Sequence, residues 1–323
     1  MSRKNHIGIL GTASISRQMI DSICKSKNGT VIGIWGRTKK IAEEIATEKE
    51  IPKVYQTLNE VFADEEIDTV YIATPNSRHF DHAMGAIAHK KNVIVEKTAF
   101  MTTDQAIQVF AAAEKQDVFV FEAIRSIYEP NFKVLAKAVK RLGKIHGGTL
   151  KYQNYSKQYL TFLNDGRAPL FDENHGGGTL RTIGIYPIYM ALQLFGNPIN
   201  SYYFKQSTET DLGGTLIFDY EDFKITMLIS KINLTNDSIS EVYGEKGTVQ
   251  FHSLYDIRTI SLRNLKDNDE KIISVSISNS SLIYEFDTFS EWILTKNEAA
   301  YRKQKVNTLK AISIIEQALN GGI

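Results

Sequence analysis

In roughly the first 120 residues, six short apolar runs are separated by segments with helical periodicity, and this alternation is what most limits the fold. The runs are HIGIL, TVIGIWG, KVYQ, DTVYIATP, NVIVEK and VFVFEA. Between them lie SISRQMIDSICKSK, KKIAEEIATEK, LNEVFAD, RHFDHAMGAIAHK and TDQAIQVFAAAEKQ, the first with Ile15, Met19, Ile20 and Ile23 on one face. Strands that are apolar along their whole length, each followed by a helix, predict a doubly wound parallel sheet covered on both faces.

The rhythm changes near residue 125. A helix in EPNFKVLAKAVKRLG is followed by strand candidates HGGTLKYQNYS, SYYFKQS, GTLIFDYED, FKITMLISKI, ISEVYGEKGTVQF, IRTISLRN and KIISVSIS. YGEKGT reads as a hairpin turn, with glycines supplying positive φ. Two helices, at about 282–295 and 298–319, close the chain. The expectation is an α/β domain over 1–124 and an α+β domain over 125–323 built on a mostly antiparallel, open-faced sheet. The last helix is the one segment expected to pack back on the first domain.

A chain of 323 residues suits two domains, and 42% hydrophobic residues supply two cores. A net charge of +1 without a basic stripe argues against nucleic acid as a partner. No stretch approaches a membrane span, and no signal-peptide apolar region precedes the first strand. Cys24 is the single cysteine, reads as a small core residue, and fits a reducing, cytoplasmic setting. Seven histidines show no metal-binding spacing, so no metal is expected.

The first strand runs into Gly11-Thr12-Ala13-Ser14-Ile15-Ser16, a degenerate dinucleotide fingerprint. Gly11 serves the tight turn, Ala13 the close approach of a pyrophosphate, and Ser16 the packing of helix on strand. Residues 11–15 are therefore cofactor candidates, with the helix N-terminus presenting free N–H groups. The second strand ends in IWGRTKK, where no carboxylate awaits the adenosine ribose. Arg37, Thr38 and Lys40 stand there instead, which favours the 2′-phosphate of NADP, with NAD the alternative. The competing reading makes Arg37 and Lys40 a solvated helix start. After the fourth strand, Thr74, Pro75, Asn76 and His79 are further candidates, His79 being either a ligand contact or a structural residue. Glu96 and Lys97 leave the fifth strand into the crevice where open α/β sheets bind ligands. Lys97 is there either a hydrogen-bond donor to substrate or an ordinary surface lysine. In residues 173–196 a Gly176–Gly178 turn precedes a helix with Tyr186 in its opening turns, facing a cleft or a core.

GILGTASIS, ATPNSRH, EKT, FEAIRSIYEP, GGGTLRTIGIYP and YGEKGT, in this order and spacing, resemble the Gfo/Idh/MocA family, including glucose–fructose oxidoreductase, inositol dehydrogenase and dimeric dihydrodiol dehydrogenase. The resemblance implies a Rossmann domain, an open-faced sheet domain, and hydride transfer between a nicotinamide and a carbinol or carbonyl carbon of a sugar, cyclitol or diol. It implies catalytic roles for Lys97, matching the family's E-K-P lysine, and for Tyr186, ending its D-x-G-x-(H/Y) motif. It also implies a homodimer or homotetramer formed through the second domain's sheet.

Three departures concern the site. Thr98 replaces the proline of E-K-P, and Thr182 replaces the motif aspartate. Arg125 and Ile127 stand where dihydrodiol dehydrogenase-like members carry tryptophan and arginine. Arg125 and Thr182 are substrate candidates, Arg125 equally a structural residue of the domain junction. His175 and Asp172 are candidates to replace the lost carboxylate. A nicotinamide-binding protein without turnover, such as a redox-sensing regulator, is the alternative function.

Overall fold

The computed structural model describes residues 3–206, 210–235, 238–266 and 269–321. It divides into two compact units, Met1–Ala123 with Ser278–Ile312, and Ile124–Ile277 with Ser313–Ile323.

The first unit alternates as its sequence predicts: β1 (Asn5–Leu10), α1 (Ser14–Lys25), β2 (Gly29–Trp35), α2 (Lys39–Lys49), β3 (Lys53–Val54), α3 (Leu58–Ala63), β4 (Thr69–Ile72), α4 (His79–Ala88), β5 (Asn92–Glu96), α5 (Thr103–Gln116) and β6 (Val120–Ala123). All neighbours pair in parallel, in the order β3-β2-β1-β4-β5-β6. This is the Rossmann order, and it reverses between β1 and β4, where the strand ends part to leave a crevice. Ile7, Ile9, Val70, Ile72, Val93 and Val95 are all fully buried, as a sheet covered on both faces requires. Thr102 caps α5 by accepting from the Gln105 amide, while the Gln105 side chain accepts from Met101 N–H. Cys24 lies exposed on α1 rather than in the core.

The second unit begins with α6 (Pro130–Arg141), β7 (Ile145–Gln153) and α7 (Gln158–Asp165), then α8 (Ile185–Phe195). Its strands continue with β8 (Asn200–Lys205), β9 (Gly213–Tyr220), β10 (Phe223–Ser230), β11 (Ile239–Gly244), β12 (Gly247–His252), β13 (Ile260–Asn264) and β14 (Glu270–Ile272). They form one sheet, β14-β13-β12-β11-β7-β10-β9-β8, antiparallel except for β7 with β10. Burial alternates along β9 and β10, so one face is covered and the other open. At the β11–β12 hairpin only Gly247 takes positive φ.

Residues 278–312, which the sequence places within 125–323, join the first unit. They carry α9 (Leu282–Leu294) and most of α10 (Glu298–Leu319). Phe289 stacks on Phe121 of β6 at 4.6 Å, and Tyr301 meets Phe119 at 4.7 Å. A Cβ at Gly29 would lie 2.2 Å from Phe286, so β2 is shaped to admit α9.

Two segments differ from expectation. KIISVSIS is strand only to Ile272; further on, the Asn131 amide donates to Val275 O and accepts from Val275 N–H, replacing a ladder partner. The α7 helix, for which the sequence predicts no element, leaves Leu160 and Leu163 exposed and packs Tyr159 and Phe162 against Phe171. Ser207, the last residue of the SYYFKQS strand candidate, lies outside the described residues.

Candidate active site

Gly11 adopts φ +118, and a Cβ there would fall 2.4 Å from Ala73 O, so the turn after β1 closes against the end of β4 only with glycine. Its N–H donates to Trp35 O at 2.9 Å. A Cβ at Gly36 would meet Thr12 Cγ2 at 2.4 Å, so a second glycine lets Thr12 settle. Ala13 is the N-cap of α1; it offers no side-chain cap, and the first turn holds no acid. Ala13 and Ser14 are exposed and Ile15 half-buried, which leaves the first-turn amides facing outward. Ser16, in the third-glycine position, is completely buried against the sheet. A glycine-tightened turn and an uncapped, acid-free helix start fit a dinucleotide's pyrophosphate.

Arg37, Thr38 and Lys40 are exposed just beyond β2. Lys39 pairs with Glu43 at 3.4 Å, whereas Arg37 and Lys40 make no ion pair among the described residues. Thr74 Oγ1 lies 3.0 Å from His82 Nδ1, Pro75 is exposed, and Asn76 opens a short helical turn.

Of the two readings of His79, a ligand contact or a structural residue, its surroundings match the second. Its ring is fully buried, with Nε2 2.8 Å from Thr74 O and Nδ1 3.2 Å from both Thr98 O and Ala99 O. Both nitrogens thus face backbone carbonyls, and His79 ties the loop after β4 to the loop after β5. Glu96 is likewise buried, accepting from Tyr71 Oη at 2.6 Å, so this carboxylate oxygen serves the core. Lys97 is half-buried, and the Lys97–Thr98 peptide is cis. Glu122, buried on β6, accepts from Ala99 N–H at 2.8 Å and holds the lysine loop from its other side.

Burial pushes the His79 imidazole down to about 4, outweighing the carbonyls that favour its charged form. The unfolded ring takes its proton near pH 6.5, so between there and about pH 4 the unfolded chain binds a proton that the fold refuses. Stability from this source is complete above about pH 6.5 and falls as pH drops, by at most about 3 kcal/mol. Urea midpoints measured from pH 7 to pH 4 are expected to fall less steeply in His79→Gln than in the wild type. Parallel pH dependences in the two proteins would contradict this.

In the second unit, residues Leu180–Gly184 form a π-helical turn that feeds directly into α8, a feature often found at functional sites. Asp211 anchors its start: the buried carboxylate accepts from Leu180 N–H and from Tyr203 Oη, both at 2.6 Å. Its backbone oxygen accepts from Thr179 N–H at 2.8 Å. Burial holds the Asp211 carboxyl above the usual range. Gly178, at φ +95, lies against this carboxylate. Thr182, a substrate candidate, has its hydroxyl turned back, with Oγ1 donating to Gly178 O at 2.7 Å. Tyr186 is buried in a cluster with Tyr152, edge-on at 5.5 Å, and Tyr255 at 6.3 Å. Arg125 joins the cluster through Tyr255.

His175 is exposed and pairs with Asp172 at 2.7 Å. The two line a depression of about 570 Å³ with Asp165, Arg167, Ala168 and Pro169. That lining contains neither Thr182 nor Tyr186. Among the described residues no group of three His, Cys, Asp or Glu could hold a metal, and no helix is long and apolar enough to cross a membrane.

Residues 5–124 match an oxidoreductase family with an NAD-binding Rossmann fold, and residues 135–250 match the GFO/IDH/MocA C-terminal domain. The chain is 27% identical over 312 residues to scyllo-inositol 2-dehydrogenase (NADP(+)) of Bacillus subtilis, covering 96% of this chain and 94% of that protein. It is 25% identical over 252 residues to trans-1,2-dihydrobenzene-1,2-diol dehydrogenase of Xenopus tropicalis, covering 76% of this chain and 74% of that one. A 3-ketoreductase from Actinomadura kijaniata, solved with NADP and TDP-benzene, shares the fold at a TM-score of 0.86 and 16% identity, over 99% of this chain and 98% of that one. The chain belongs to the Gfo/Idh/MocA family of nicotinamide-dependent oxidoreductases.

Proposed function

We propose that this protein is an NADP-dependent dehydrogenase or reductase acting on a carbinol or carbonyl carbon of a sugar, cyclitol or related diol. The observation that carries the reading is the turn at Gly11, closed against β4 and opening onto an uncapped α1, with Arg37 and Lys40 exposed beyond β2 and without an ion pair among the described residues. The NADP-linked cyclitol dehydrogenase of Bacillus subtilis supports both the coenzyme and the substrate class.

When bound, the nicotinamide supplies or accepts the hydride. Tyr186 moves the matching proton: its phenol donates to the substrate oxygen in reduction and recovers a proton from solvent, and the reverse holds in oxidation. A free phenol titrates near pH 10, too high for ready exchange at neutrality. The family resemblance assigns Lys97 to the same proton transfer, in which an ammonium charge favours the phenolate and stabilises negative charge on the substrate oxygen. Arg37 and Lys40 bind the 2′-phosphate, with Thr38 alongside. Residues 11–15 and 74–76 cradle the rest of the nucleotide. A cytoplasmic setting follows from the lone Cys24, and the open sheet face suits a homodimer or homotetramer.

The test is NADPH consumption against a panel of aldoses, keto-cyclitols and dicarbonyls. Turnover is expected with at least one class, faster with NADPH than with NADH. Arg37→Ala is expected to raise KM for NADPH about tenfold or more while changing that for NADH little. NADPH binding without turnover anywhere on the panel would favour a non-catalytic regulator.

A further inference from the structure

Arg125 opens a short helical turn directly after β6, and its surroundings are built. Its Nε donates to Tyr255 O at 2.8 Å, and the guanidinium carbon lies 4.8 Å above the centre of the Tyr255 ring. Tyr255 stacks on Tyr152 at 5.6 Å and 14°, and Tyr152 meets Tyr186 edge-on at 5.5 Å. A guanidinium is thus fixed at one end of an aromatic array whose other member is the proposed proton-transfer residue. Arg17 and Arg258 each face a carboxylate, but Arg125 has no ion pair among the described residues. One of its five N–H donors is used by Tyr255, which orients the planar fork while leaving the Nη groups for a ligand. Flat tyrosine faces beside it suit the apolar C–H face of a sugar ring. A half-buried, oriented cation without a carboxylate partner among the described residues suits an oxyanion, and a neutral ligand would leave its charge unpaired.

We propose that Arg125 makes the enzyme selective for a sugar or cyclitol bearing an oxyanion, either a carboxylate or a phosphate. The inference rests on the hydride-transfer reading above, because it places the reacting oxygen near Tyr186.

The experiment compares kcat/KM for a hexose, the matching hexuronate and the hexose 6-phosphate, in wild type, Arg125→Lys and Arg125→Met. The wild type is expected to prefer one anionic substrate, and which one identifies the oxyanion. In Arg125→Met the anionic-to-neutral ratio should fall about 10- to 100-fold, mainly through KM. Arg125→Lys, which keeps the charge but loses the fork, should lie between. An unchanged ratio would overturn the proposal; because a ratio is read within one protein, partial misfolding does not mimic the effect. Calorimetry of hexuronate and hexose 6-phosphate on the NADP-loaded protein separates the two readings. Arg125-dependent binding without turnover would keep the anion site and remove the hydride-transfer reading. Turnover of neutral polyols with a ratio indifferent to Arg125 would do the reverse, and neither binding nor turnover would remove both.

Discussion

Tyr186→Phe is expected to lower kcat about 10²- to 10⁴-fold, the usual worth of a positioned proton donor. The substitution keeps the ring that packs edge-on against Tyr152 and near Tyr255, so the cluster and α8 should survive it. The loss should therefore appear in kcat, with coenzyme affinity and urea midpoint close to wild type. Lys97→Met should give a loss of similar order, since it removes the charge proposed to ease proton release and steady the substrate oxygen. The double variant should lose little beyond the worse single one, because residues acting as a unit are not additive. Single-turnover rates, which exclude product release, are the measurement. A phenylalanine variant with near-native kcat would remove Tyr186 from the chemistry.

Gly11→Ala is expected to abolish measurable NADPH binding and to destabilise the first unit. At φ +118 an L side chain is already strained, and its Cβ would sit 2.4 Å from Ala73 O and 2.8 Å from Ala73 C. Both contacts are backbone at the end of β4, so neither can rotate away. Relief requires β1 and β4 to part at the mouth of the crevice. Strain and overpacking together cost about 2–5 kcal/mol. Gly166→Ala is the informative control: it too has positive φ, at +68, but its Cβ would meet nothing within 4 Å. NADPH fluorescence titration with urea denaturation should show a severe defect for Gly11→Ala and a mild one for Gly166→Ala. Equal behaviour would mean that the turn tolerates a Cβ and that its tightness is not what shapes the nucleotide site.

The parallel sheet was legible because both of its faces are buried: such strands read as unbroken apolar runs, and the helices between them carry their own period. Gly11 was legible for a related reason, since a turn between neighbouring elements leaves a local mark. The residues that hold the loops are different. His79 reaches Thr98, Glu122 reaches Ala99, and Asp211 reaches Leu180, each a side chain meeting a distant stretch of backbone. No spacing along the chain encodes such a bond; only the tertiary fold brings its two ends together. His79 shows the consequence. In sequence it reads as either a ligand contact or a structural residue at the start of α4, and in the structure its buried ring has both nitrogens facing backbone carbonyls. A threonine in a helix can likewise turn its hydroxyl back on the preceding turn, as Thr182 does to Gly178 O, and spacing does not show which way it turns. Glu96 was read as a crevice residue because it ends a strand, but the hydroxyl of Tyr71 on the adjacent strand claims one of its oxygens.

The partnership of Lys97 with Tyr186 is tested most directly by the pH profile of kcat/KM for carbonyl reduction, in wild type and in Lys97→Met. Reduction needs the protonated phenol, so the rate falls as pH rises through its pKa. Loss of the ammonium should move that fall to higher pH, by about one unit or more. Superimposable profiles in the two proteins would mean that the lysine does not act on the phenol, and the proposed machinery would fail.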